Sequence, residues 1–86
     1  MHYVYLIRSE RDGKLYIGQT SDVDLRLQQH NDGKSTYTRL RRPWKLVYFE
    51  AFLSKKDALI RELALKDFGR AYGQLKRRLE NSFRNS

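Results

Sequence analysis

The sequence predicts a small α/β domain, with a three-stranded, mainly antiparallel sheet flanked by helices in the order β-β-α-β-α-α. Three observations carry this reading. The stretch His2 to Arg8 (HYVYLIR) is apolar or aromatic at both odd and even positions, as a strand buried on both faces is. An Asp12-Gly13 pair separates it from a second strand-like run, Lys14 to Gln19, which is the pattern of a hairpin. Further along, capping residues precede stretches whose apolar positions recur every three or four residues, the helical period.

Each element follows in turn. Ser9 to Gly13 forms the turn of the opening hairpin. Thr20-Ser21-Asp22 supplies N-cap oxygens, with Asp24 three positions after Ser21, for a helix from about Val23 to His30. Asn31-Asp32-Gly33 stops that helix. Lys34 to Lys45 reads as a loop holding Lys34, Arg39, Arg41, Arg42 and Lys45 without any acid, punctuated by Pro43. Lys45 to Phe52 (KLVYFEAF) is the third strand. Ser54, with Asp57 three residues later, caps a helix running to about Phe68, and Gly69 breaks it. A last amphipathic helix over about residues 70 to 82 carries Tyr72, Leu75 and Leu79 on one stripe. The whole chain, 1–86, is expected to be one domain with its core in residues 2–68.

Composition narrows the function classes. A chain of 86 residues has room for one core. It has no cysteine, so disulfide scaffolds and thiolate-ligated zinc or iron–sulfur sites are excluded. A metal would have to be held by carboxylate, imidazole or water, which suits magnesium or manganese. Eighteen Lys and Arg against ten Asp and Glu leave a net charge of +8, a field that gathers polyanions such as nucleic acid. The opening Met1-His2-Tyr3-Val4 lacks the pattern of a signal peptide, and no run approaches the ~20 apolar residues of a membrane span. A cytoplasmic protein without a membrane partner is therefore expected.

Polar residues on packing faces carry the functional signal. Val23, Arg26, Leu27 and His30 share one sector of the first helix, so Arg26 and His30 lean toward the sheet with the two apolar residues. The alternative is that Arg26 snorkels over the edge while a cationic His30 caps the helix end. Glu62 lies with Ala58, Leu59 and Leu65 on the stripe of the second helix that should pack, where a carboxylate needs a cation or a metal. Its other reading is a surface pair with Lys66 at i, i+4. Tyr5 and Tyr16 fit either core packing or a hydroxyl carried to the end of the sheet. Within Lys34 to Lys45, Tyr37 and Trp44 interleave with the basic residues, a nucleic-acid-binding pattern whose alternative is a solvated face.

Taken together and in order, these residues resemble the GIY-YIG nuclease superfamily. Tyr3-Val4-Tyr5 is similar to its first motif, with Tyr3 in place of the motif's glycine, and Tyr16-Ile17-Gly18 matches the second letter for letter. Arg26 comes ten residues after Tyr16 and His30 four after that, the family's helix spacing. Glu62, on the helix after the third strand, sits where the family keeps its metal-binding acid. The resemblance spans residues 2 to 68 and is closest to the short stand-alone bacterial members, related to the excision-repair and junction-cutting nucleases. In those members a basic segment ending in proline also precedes the third strand, as Arg41-Arg42-Pro43 does here.

The resemblance implies an endonuclease that hydrolyses phosphodiester bonds, structure-selective and acting in DNA repair or processing. Glu62 would hold a single Mg²⁺ or Mn²⁺, and Arg26 would clamp the scissile phosphate. Tyr16 would be the general base or orient it, His30 is a second candidate for proton transfer, and Tyr5 gives hydrogen-bonding support. Branched or duplex DNA is the expected partner, with RNA also open, and a targeting protein is a second expected partner. Gln19 stands where some members carry a lysine, and Asn81 lies in the region of an asparagine found on a later helix in many members. A non-catalytic nucleic-acid-binding module with the same fold is the competing class; it would not depend on Glu62.

Overall fold

The middle strand of the sheet is the one whose sequence is apolar on both faces. A computed structural model describes residues 1–84. In it β1 (His2–Ser9) lies between β2 (Leu15–Thr20) and β3 (Trp44–Phe52), and both pairings are antiparallel. Val4 and Leu6 point into one core with Ile17, while Tyr5 and Ile7 point into another with Trp44, so both faces of β1 are buried. β2 is left as an edge strand.

Helices cover the two faces separately. α1 (Val23–Asn31) places Val23 and Leu27 on the Tyr5 and Ile7 face. Its N-cap is Asp22, not Ser21: the Asp22 carboxylate accepts from the Leu25 amide at 3.0 Å. A single 3₁₀ turn, Arg39–Arg41, interrupts the basic segment before β3. α2 (Lys55–Lys66) is capped by Ser54 and buries Ala58 and Leu65 on the Val4 and Leu6 face. Leu59, expected on the same stripe, is 39% exposed, because the packed positions are Ala58, Arg61, Glu62 and Leu65 at helical spacing. The C-terminal helix expected over 70 to 82 is two helices, α3 (Arg70–Arg78) and α4 (Glu80–Arg84). The Leu79 amide is shared between the carbonyls of Leu75 and Lys76, a tightened last turn that ends α3. Leu75, Tyr72, Leu79 and Phe83 all reach the core. Among the described residues no helix is long and apolar enough to cross a membrane.

One ion pair ties α2 to the sheet and so fixes where its polar residues stand. Arg61 donates from Nε and Nη2 to the two carboxylate oxygens of Glu50, each at 2.8 Å, and the Tyr48 hydroxyl donates to Glu50 Oε2 at 2.7 Å. Burial pushes the Glu50 carboxyl up, but the bonds from Arg61 and Tyr48 outweigh it and leave it below its usual range. Glu50→Gln removes the counter-charge of a half-buried guanidinium, with an expected cost of ~1–3 kcal/mol and a Tm lower by several degrees. The deficit should be full at pH 7 and shrink in acid, where the wild-type carboxylate is itself protonated. Equal melting temperatures at pH 7 would show that the pair adds nothing net.

Candidate active site

The strand register sets the glycine of the second motif against the first. Gly18 lies opposite Tyr5. A Cβ on Gly18 would stand against the Tyr5 hydroxyl, 2.5 Å from ring atom Cζ and 2.9 Å from Cε1. Glycine is therefore required here by a close approach: the Tyr5 ring lies across the β2 backbone. Tyr16, two residues earlier on β2, places its ring on the same side, 6.4 Å from that of Tyr5.

His30 closes the other side of Tyr5. It is fully buried, with Nε2 2.9 Å from the Tyr5 hydroxyl and Nδ1 2.7 Å from Thr38 Oγ1. Burial, reinforced by the nearby Arg26 cation, lowers the imidazole pKa to about 4, so His30 is neutral at pH 7 and is not a cationic helix cap. Burial likewise pushes the Tyr5 phenol up to about 12, against the pull of the Arg26 guanidinium beside it; Tyr16 and the Glu62 carboxylate add to the rise. Both ring nitrogens of His30 are thus engaged, one by the Tyr5 hydroxyl and the other by Thr38.

The buried imidazole makes stability pH-dependent. Its folded pKa lies below the unfolded value, so its contribution is complete above about pH 6.5 and is lost as pH falls toward 4. The loss is expected to be ~2–3 kcal/mol. In chemical denaturation at pH 7 and pH 4.5, His30→Gln should lose less stability on acidification than wild type. Parallel losses in the two proteins would mean that His30 titrates normally in the fold.

Arg26 and Glu62 come to this place from opposite faces of the sheet. Arg26, half-buried on α1, donates to Gln29 Oε1 at 3.0 Å and stands beside the Tyr5 phenol. Glu62, on α2, has a side chain only 15% exposed and pairs with Lys66 Nζ at 3.1 Å, while its carboxylate is also within electrostatic reach of Tyr5. Glu62 thus lies on the packed stripe of α2 and pairs with Lys66 at i, i+4. Lys66 in turn leans over the Tyr16 ring, 5.8 Å from its centre. Among the described residues there is no group of three or more His, Cys, Asp or Glu placed to hold a metal. The donor set is a single carboxylate, which fits a hard cation that keeps most of its water and takes the rest of its ligands from a substrate phosphate.

The basic segment divides. Lys34, Tyr37, Arg39, Arg42 and Lys45 are exposed, and Arg41 is half-buried in an ion pair with Asp12 at 3.1 Å. Trp44 does not belong to that surface. It is 4% exposed, its indole N–H donates to the Thr38 carbonyl at 2.9 Å, and it packs with Tyr5 and Ile7, so its faces are not available to a base. Asn81 lies exposed on α4. Sequence reasoning did not single out Thr38 or Asn31. Thr38 looks like one more polar loop residue, yet it is fully buried under His30. Asn31 looks like a helix stop, yet its amide bonds both the N–H and the carbonyl of Trp44, at 2.6 and 3.0 Å, and so fixes the end of the basic segment.

Comparison with known proteins assigns the chain to a family. The family model described as the GIY-YIG catalytic domain matches residues 1–81. The UPF0213 proteins of Staphylococcus saprophyticus and Staphylococcus haemolyticus are 44% and 47% identical over 70 residues, covering 80% of this chain and 84% of each relative. The UPF0213 protein of Bacillus licheniformis is 47% identical over 70 residues, 71% of its length. Among solved structures, the solution NMR structure of a UPF0213 protein from Bacillus halodurans is 40% identical, covers 91% of this chain and 83% of that one, and superposes with a TM-score of 0.55. With the motif tyrosines, Gly18, Arg26 and Glu62 gathered at one edge of the sheet and the match running over nearly the whole chain, this protein belongs to the GIY-YIG family, a nuclease superfamily, alongside the UPF0213 proteins of bacteria.

Proposed function

We propose that this chain is a divalent-metal-dependent endonuclease that hydrolyses phosphodiester bonds in DNA. One observation carries the reading: Tyr5, Tyr16, Arg26 and Glu62, from four different elements, meet around the β2 edge. Packing alone gives no reason to bring a guanidinium and a carboxylate to the same buried phenol.

Phosphodiester hydrolysis needs an activated water and a counter-charge for the oxygens that become more negative in the transition state. Arg26, steadied by Gln29, offers a planar fork that fits two phosphate oxygens. The Tyr16 hydroxyl has no hydrogen-bond partner among the described residues, and it is the group left to receive or orient the water's proton. Tyr5 remains a neutral phenol, and His30, enclosed with both nitrogens engaged, is a positioning residue that holds Tyr5 in place. Glu62 would hold Mg²⁺ or Mn²⁺, which when bound supplies positive charge to the phosphate and acidifies water. The exposed Lys34, Arg39, Arg42 and Lys45 would track the flanking phosphates, with binding that weakens steeply in salt.

The Glu62–Lys66 pair favours one rival, a binder that keeps the fold and has Glu62 neutralised internally. A panel of end-labelled flap, branched, duplex and single-stranded DNAs separates the two. Cleavage of at least one of them with Mg²⁺ or Mn²⁺, and of none with EDTA, is the expected result. Binding without product from any substrate, with either ion, would establish the binder.

A further inference from the structure

Beside Tyr16 lies a cleft of about 430 Å³ lined by Leu15, Tyr16, Ile17, Tyr37, Lys66 and Phe68. Its lining includes Phe68, the residue just past the α2 C-cap Asp67. Phe68 has φ of 56°, a left-handed conformation that a bulky residue seldom adopts, although glycine is the next residue in the chain. Its ring is 60% exposed, touching Tyr72 edge-on at 4.9 Å. Tyr37, which also lines the cleft, is 72% exposed, with its ring 5.7 Å from that of Tyr16. Two large, mostly exposed aromatic rings thus line one cleft with Tyr16, and the Lys66 ammonium lies over the Tyr16 ring.

We propose that this cleft is a stacking subsite for one unstacked nucleobase adjoining the scissile phosphate, its faces against Tyr37 and Phe68, with Lys66 bonding that nucleotide's phosphate. The proposal rests on the nucleic-acid reading of the site given above. The occupant follows from the chemistry of the walls: aromatic faces suit a planar base, a lysine suits its phosphate, and the net charge of +8 draws the polyanion to them. Every base has a π-face, so the subsite accepts any base and recognises its unstacked state. Lys66 also gives the site a cation beside Tyr16, where Gln19 provides none.

The test uses the full chain and a short single-stranded DNA carrying one 2-aminopurine, in EDTA so that nothing is cut. Stacking on the rings should quench the probe on binding. Tyr37→Ala and Phe68→Ala should each abolish most of the quench and weaken binding by about five- to a hundredfold. Phe68→Trp should preserve both, and Leu53→Ala, at an exposed apolar residue outside the cleft, should change neither. Tyr37 is mostly exposed, so its variant keeps the test valid even if Phe68→Ala fails to fold. Unaltered quenching and affinity in Tyr37→Ala would overturn the subsite. The nuclease reading fails separately: a protein that quenches the probe but cuts nothing when metal is added keeps the subsite and loses the activity.

Discussion

Gly18→Ala is expected to disable the protein more severely than any other single-methyl change in the sheet. The added Cβ would fall 2.5 Å from Tyr5 Cζ, and the Tyr5 ring, 2% exposed between β2 and His30, has nowhere to retreat without breaking its 2.9 Å bond to Nε2. Overpacking of this kind costs ~1–3 kcal/mol, which in a domain this small lowers Tm by roughly 5–20 °C. Activity should fall further than stability, because displacing Tyr5 moves the group that Arg26 and His30 are arranged around. A double-mutant cycle with Tyr5→Ala isolates the cause: once the ring is gone, the penalty at Gly18 should largely vanish. Additive penalties would show that glycine is needed there for some reason other than the approach of Tyr5.

The second large effect is expected at Arg26. Among the described residues its guanidinium is the cation that bears on both Tyr5 and His30 in their shifted pKa values, and Gln29 holds one of its nitrogens at 3.0 Å. If it clamps the phosphate as the oxygens gain charge, Arg26→Ala should slow cleavage by ~10²–10³-fold. Arg26→Lys should recover little, since an ammonium has one point of charge where the fork offers two parallel donors. DNA affinity should change far less than the rate, and stability by no more than about 1 kcal/mol, because the residue is only half-buried. A lysine variant that cleaves within a few-fold of wild type would remove the bidentate clamp from the mechanism.

How much of this was legible in the sequence differs by residue, for physical reasons. β1 could be read because a central strand must be apolar on both faces, and the hairpin because Asp12-Gly13 suits few other conformations. The helical spacing of Arg26 and His30 with Val23 and Leu27 put them on one face, and they do share it. The wheel did not decide between a cationic cap and a buried neutral imidazole. That depends on Thr38 and Tyr5, which come from other elements. Trp44 was misread because burial is decided by tertiary contacts: a tryptophan among arginines looks like a stacking platform until Thr38 and Asn31 are seen to hold it inside. Glu62 presents the opposite case. Its two readings seemed exclusive, yet one turn of helix allows Lys66 to neutralise it while it still faces the tyrosines. Lys66 was legible only as that i, i+4 partner, since nothing in a linear pattern shows that it crosses to Tyr16.

The central claim is that Glu62 serves a metal-dependent cut rather than a helix pair. It is tested most directly by the rate of DNA cleavage in saturating Mg²⁺ or Mn²⁺, comparing wild type with Glu62→Gln. The amide keeps the shape of the side chain and can still bond Lys66, but it lacks the charge that would hold a hard cation. Metal charge stabilisation amounts to several kcal/mol, so the variant should cleave ~10³-fold more slowly or not at all, with its fold and DNA affinity intact. Cleavage by Glu62→Gln at the wild-type rate would contradict the account.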